Sequence, residues 1–280
     1  MNSITSRQNP IARAFRELAS TPDAAGVRLL LDGIHLVRDA RAAGLELEVV
    51  AVASGSLDSN SEEAALALVL EREGVEVISA SEQAFALMSP VRTPSGIVAI
   101  ARRVPTTATS ICVRPGGFIL VVVDVQDPGN LGSLLRAAEA GGVTGVLVCG
   151  ASTSPFSWKA LRGSMGSALR LPIVHGLPLQ SVLTCLEQHD ARTVAAVPRD
   201  GRAPDDIDWT GRVGLVLGGE GHGLDEIVAA RCAERVSIPM APPVESLNVA
   251  AAAAILVYTA RRQRAPLDVA RSGPSESRRP

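Results

Sequence analysis

Five polar side chains define the chemistry this sequence can offer: Asn130, Arg136, Glu220, Ser246 and Asn248. They fall on three segments far apart in the chain. The first is VVVDVQDPGNLGSLLRAAEAGG, Val121 to Gly142; the second is LVLGGEGHGL, Leu215 to Leu224; the third is SIPMAPPVESLNVAAAAAIL, Ser237 to Leu256. Each reads as a strand, a Gly/Pro/Asn turn and a helix start, where backbone N–H groups and short polar side chains gather around a ligand. Asn130 is placed to cap a helix over Leu131 to Ala140, and Ser246 to cap the last helix. Arg136 is a long cation on a helix otherwise built of Leu, Ala, Ser and Gly. Its plainest role would be a surface pair with Glu139 at i, i+3, contributing about 0.2–0.5 kcal/mol.

The glycine string Gly218-Gly219-Glu220-Gly221-His222-Gly223 follows an apolar strand and lets the backbone approach a ligand. It lacks GK[ST] and does not match G-x-G-x-x-G, so the nucleotide-loop fingerprints do not fit. The carboxylate of Glu220 would repel phosphate and suits a cationic ligand. The segment Lys159 to Gly166, KALRGSMG, is not a serine-hydrolase elbow, because neither Ser164 nor Ser167 sits in G-x-S-x-G. It reads either as a functional loop or as a helix with a small-residue packing face. In the third segment Pro242-Pro243 forces an extended approach to the helix.

In this order the three segments resemble the motifs of the SpoU (TrmH-like) RNA ribose 2′-O-methyltransferases. The resemblance covers about the last 165 residues. It implies an α/β fold whose C-terminal parallel-sheet domain contains a deep trefoil knot, with S-adenosylmethionine as methyl donor and no metal. It makes Arg136 the catalytic arginine, with Asn130, Glu220, Ser246 and Asn248 at the reaction centre. Val197, Leu217, Gly218, Gly221, Ile238, Met240 and Leu247 would bind the cofactor; His222 is given no role. The stretch ITSRQNPIARAFRELAS, followed by LLLDGIHLVRDA, resembles the small RNA-binding domain that precedes the knot in relatives acting on ribosomal RNA. Ser6, Arg7, Gln8 and Asn9 would then contact the RNA backbone, with Arg13 nearby, and Arg162 would meet the RNA as well. Asp32-Gly33 stands where those relatives carry Glu-Gly. The substrate expected is large-subunit ribosomal RNA, with transfer RNA as the alternative, and the partner is a second copy of the chain. Two other classes remain: a non-catalytic RNA-binding or ribosome-assembly module, and an unrelated α/β nucleotide-binding enzyme.

The elements that must position these residues follow from pattern. Near-continuous apolar runs (FILVVVD, VTGVLVCG, TVAAVP, VGLVLGG) predict parallel strands buried on both faces, with helices between them. Upstream, helix and strand alternate: helices over Arg7 to Ala19, Ile34 to Ala43, Ser61 to Glu73 and Ser81 to Met88, and strands at Val27 to Leu31, Leu47 to Ala53, Val75 to Ser79 and Gly96 to Ala101. The resulting division is 1–104 for an RNA-binding domain, 105–117 for a linker, 118–264 for the methyltransferase domain and 265–280 for a disordered tail. Composition is compatible with this. At 280 residues with 46% apolar content there is material for two cores, built from Ala, Val, Leu and Ile because aromatics are only 2%. The net charge of −2 neither requires nor excludes RNA, since a local patch suffices. Lys159 is the only lysine, so basic contacts fall to arginine. The four cysteines form no CxxC pair, Cys149 reads as core packing, and reduced thiols in a cytoplasmic, membrane-free protein are expected.

Overall fold

The computed structural model describes residues 1–57, 60–221 and 223–264. The tail expected to be disordered, and His222, lie outside them. The first unit is a five-stranded mixed sheet flanked by helices. In chain order it comprises β1 (Asn2–Ile4), α1 (Pro10–Ser20), β2 (Arg28–Asp32), α2 (Ile34–Ala42), β3 (Glu46–Ala53), α3 (Glu62–Arg72), β4 (Val77–Ala80), α4 (Glu82–Met88) and β5 (Ile97–Arg102). The strand order is β1-β4-β3-β5-β2, with β5 antiparallel to both its neighbours. Helix starts follow local chemistry: the side chains of Asn9, Ser61 and Ser81 each accept a bond from a first-turn N–H.

The second unit holds α5 (Ala108–Cys112), β6 (Phe118–Val123), α6 (Pro128–Ala140), β7 (Gly145–Cys149), α7 (Trp158–Ser164), α8 (Ser167–Arg170), β8 (Ile173–Leu177), α9 (Leu179–Gln188), β9 (Arg192–Ala196), β10 (Val213–Gly218), α10 (Glu226–Arg231), β11 (Glu234–Val236) and α11 (Val249–Arg264). Its six strands are all parallel, in the order β11-β9-β10-β6-β7-β8. Every residue of β6 and β7 is buried, as continuous apolar runs in a doubly covered sheet must be. Cys149 packs in that core, where burial pushes its thiol up to about 12. Among the described residues no helix is long and apolar enough to cross a membrane.

Three readings of the sequence change. The stretch 105–117 is not a bare linker: it forms α5, whose Ile111 and Cys112 are fully buried against the second sheet. Ser237 to Met240 lies past the end of β11 rather than inside a strand. The two units also keep only part of their cores separate. One apolar cluster runs from Leu29, Leu31 and Ile97 through Phe156 and Leu161 into Val122 and Leu134. Arg103 seals this junction. It lies over the Phe156 ring at 4.1 Å and donates to the carbonyls of Gly26 (3.0 Å) and Ile173 (3.5 Å).

Helices α6 and α7 pack directly on each other, and the approach depends on two glycines. A Cβ added at Gly132 would stand 2.7 Å from the Ala160 carbonyl oxygen and 2.8 Å from the Gly163 backbone. Backbone cannot yield as a side-chain tip can. Gly132→Ala should therefore destabilise the protein by about 1–3 kcal/mol in chemical denaturation, although alanine is the better helix former. Ser133→Ala, on the exposed face of the same helix, should be near neutral; equal effects at the two positions would remove the steric account.

Candidate active site

The β6–α6 turn sets the first wall of the site. Asp127, directly before Pro128, caps α6 by accepting from the Asn130 N–H at 2.7 Å. This corrects the assignment of the cap to Asn130. The signal was in the sequence, because Pro favours the first helical position and Asp the position before it. Asn130, inside the first turn, is thereby released to use its carboxamide elsewhere. Ser246 is likewise not the cap of the last helix. Asn248 is: its Oδ1 accepts from Ala250 N at 2.9 Å and Ala251 N at 3.3 Å.

These caps dictate a directional chain of hydrogen bonds. A backbone N–H can only donate, so Asn248 must turn its Oδ1 to the helix and its Nδ2 away. That Nδ2 donates to Asn130 Oδ1 at 2.9 Å. Asn130 Nδ2 then donates to Glu220 Oε1 at 2.7 Å, and the Gln126 N–H to Glu220 Oε2 at 3.4 Å. Three of the five polar residues singled out in the sequence thus meet in one network, although 90 and 118 residues separate the partners.

The glycine string closes on itself through a bridge between Gly219 and Gly223. A Cβ on Gly218 would fall 2.1 Å from the Gly223 carbonyl carbon, and one on Gly219 2.0 Å from the Asp124 carbonyl oxygen. At these two positions glycine admits backbone against backbone, which differs from the expected approach of a ligand. The folded loop presents Glu220 beside a cleft of about 620 Å³, within the usual range of small-molecule sites.

Val197, Leu217, Gly218 and Gly221 line this cleft, as do Ile238, Met240 and Leu247. Glu220, Ser246 and Asn248 line it too, whereas Asn130 reaches it through its bond to Glu220. Arg136 does not line it. It stands exposed on α6, with no hydrogen bond or ion pair among the described residues. The pair with Glu139 does not form, because Arg170 of α8 takes that carboxylate with bonds of 2.6 and 2.9 Å. Arg199 and Glu245, 3.5 Å apart, also line the cleft; both are exposed, and nothing in their spacing announced the pair.

The residues expected at RNA are spread over both units. Arg7 and Arg13 are exposed at the start of α1, Asn9 caps that helix through Ile11 N at 2.8 Å, and Arg13 donates to the Gln8 carbonyl at 3.4 Å. Arg162, on α7, bonds Asp32 Oδ1 of the first unit at 3.3 Å. Ser164 is fully buried and donates to the Leu161 carbonyl at 2.9 Å, which makes it a packing residue of α7.

The cleft can hold an elongated, partly apolar cation. Leu217, Ile238 and Met240 give it apolar walls, the loops supply backbone donors and acceptors, and Glu220 adds a fixed negative charge. An adenosyl group bearing a sulfonium fits those demands.

Comparison with known proteins finds relatives for both units. The model of the SpoU rRNA Methylase family matches residues 117–258, and that of an MRM3-like substrate binding domain matches residues 25–99. An uncharacterized tRNA/rRNA methyltransferase of Synechocystis is 35% identical over 93% of this chain and 94% of its own length. The 23S rRNA (guanosine(2553)-2′-O)-methyltransferase RlmP of Bacillus subtilis is 28% identical over 93% of this chain and its full length. Among solved structures, an AdoMet-bound rRNA methyltransferase from Sinorhizobium meliloti superposes with a TM-score of 0.80 at 26% identity, covering 93% of this chain and 97% of its own. The SpoU methyltransferase AviRb from Streptomyces viridochromogenes, in complex with AdoMet, gives 0.79 at 25% identity, covering 91% and 98%. The chain belongs to the SpoU rRNA methylase family.

Proposed function

We propose that this protein is an S-adenosylmethionine-dependent RNA ribose 2′-O-methyltransferase acting on large-subunit ribosomal RNA in the cytoplasm. The observation that carries the reading is the cleft in which all seven expected cofactor residues meet Glu220, Ser246 and Asn248. The ribosomal substrate is supported by the match to a substrate-binding domain and by the likeness to RlmP.

When bound, S-adenosylmethionine supplies a methyl group already carried on a positively charged sulfur. Backbone groups around Gly218, Ile238 and Leu247 hold the adenosine, and Glu220 favours the cationic end. Asn130 and Asn248 keep the Glu220 carboxylate aimed. A guanidinium does not deprotonate in a protein, so Arg136 is not a general base. It grips the phosphate next to the target ribose and stabilises negative charge developing on the 2′-oxygen, which would lose its proton to water as its bond to the methyl carbon forms and the sulfur–methyl bond breaks. Arg7, Asn9 and Arg13 contribute backbone contacts to the RNA from the first unit.

A trefoil knot belongs to this reading. The chain leaves β11 at the sheet edge, yet Asn248 bonds Asn130 in the first turn of α6, the helix that follows β6, so segment 237–248 passes the ends of β9 and β10 to reach it. A homodimer belongs to it as well: α11 packs on α6 and leaves Ile255 and Tyr258 exposed, an apolar stripe that suits a second copy.

Titration calorimetry with S-adenosylmethionine should show one site per chain, and Gly218→Val should eliminate it. Binding of ATP or NAD in its place would return the chain to the nucleotide-enzyme class. RNA affinity should fall linearly with salt on logarithmic axes, as counterion release requires; a flat dependence would remove the arginine contacts.

Arg136→Ala should lower methyl transfer on the order of 100-fold or more with folding and cofactor affinity intact. Arg136→Lys should restore little, because lysine keeps the charge but not the planar fork. Near-full activity of the lysine variant would show that charge alone suffices, and activity of the alanine variant would relocate the site.

A further inference from the structure

We propose that Asp32 and Arg162 form a positioning pair for methyl transfer, clamping helix α7 between the first unit and α6; this rests on the methyltransferase reading above. Asp32 ends β2, and its side chain is 1% exposed. Ser89 Oγ donates to its Oδ2 at 2.6 Å, and Arg162 Nη1 approaches Oδ1 at 3.3 Å. No other hydrogen bond or ion pair reaches this carboxylate among the described residues. Burial pushes its carboxyl above the usual carboxylate range, against the pull of Ser89 and Arg162. A buried carboxylate with no opposite charge is costly. The first unit therefore takes the neutralising cation from the second.

Two further contacts fasten the same stretch. Trp158, at the start of α7, packs against the first unit's cluster containing Phe15. Arg170, just beyond α7, approaches Asp39 of α2 at 3.5 Å while holding Glu139 of α6 at 2.6 Å. On its other side α7 meets α6 at Gly163 and Gly132 without slack. Helix α6 carries Asn130 and Arg136. Any displacement of α7 by the first unit thus reaches the residues that aim Glu220 and grip the substrate. Asp32 itself is too enclosed to touch RNA, so it can influence turnover only through what it holds.

That enclosure makes a clean test. The full-length chain, with an unmodified transcript of large-subunit ribosomal RNA and methyl-labelled S-adenosylmethionine, is compared as Asp32→Asn, Arg162→Ala, Arg162→Lys and the Asp32→Asn/Arg162→Ala double variant. Each of Asp32→Asn and Arg162→Ala should lower kcat by a similar factor, on the order of tenfold, because small misplacement of reacting groups is expensive. KM for RNA and affinity for S-adenosylmethionine should change little. The double variant should be no worse than either single one, and Arg162→Lys should recover part of the loss. A raised KM for Arg162→Ala with Asp32→Asn silent would overturn the proposal, making Arg162 a direct RNA contact. Lowered melting temperatures with unchanged kcat would overturn it too, leaving the pair structural. An unsubstituted chain that transfers no methyl group would fail the methyltransferase reading itself, and is told apart because no variant is then needed to see it.

Discussion

The site depends on a short relay of side-chain hydrogen bonds. The Asn248 carboxamide has one oxygen, which accepts from the start of α11, and this fixes the direction of every bond that follows: amide to amide, amide to carboxylate. The first turn of α6, the loop after β10 and the start of α11 are held together by this sequence of donors and acceptors. Reversing any carboxamide would set donor against donor, so the network has one arrangement and Glu220 one orientation. Charge and geometry at the cleft are settled together, and both descend from the requirement that a helix start find an acceptor.

Much of this was legible in the chain. The apolar runs announced β6, β7, β9 and β10, and the lining of the cleft was named from the likeness of three segments to the motifs of the family. The details that slipped were also local but competing: Asp127 and Asn130 are both good caps, as are Ser246 and Asn248, and only the folded partners decide which is used. Asp127 wins because Pro128 occupies the first helical position; Asn248 wins because α11 begins at Val249, two residues later than a Ser246 cap would start it. The short strand β1 gave no signal, since three residues carry no periodicity.

Individual contacts between distant residues were not legible from local pattern. Arg162 and Asp32 lie 130 residues apart, and nothing in either neighbourhood names the other. The expectation of an RNA contact for Arg162 came from its type and from the family pattern. Its place depends on how β2 and α7 are brought together, which is a property of the assembled core. The same holds for Glu139, whose sequence neighbour Arg136 lost it to Arg170 once α8 was folded against α6.

The apolar cluster that runs from Leu29 to Leu134 has a consequence for how such proteins diversify. Where two units are joined by a free tether, one can be exchanged for another and the remainder keeps its fold. Here the first unit fills part of the second unit's interior, with Phe156 and Leu161 buried from both sides. A new substrate-recognition unit could be accepted only together with a matching strip of α7 and its approach.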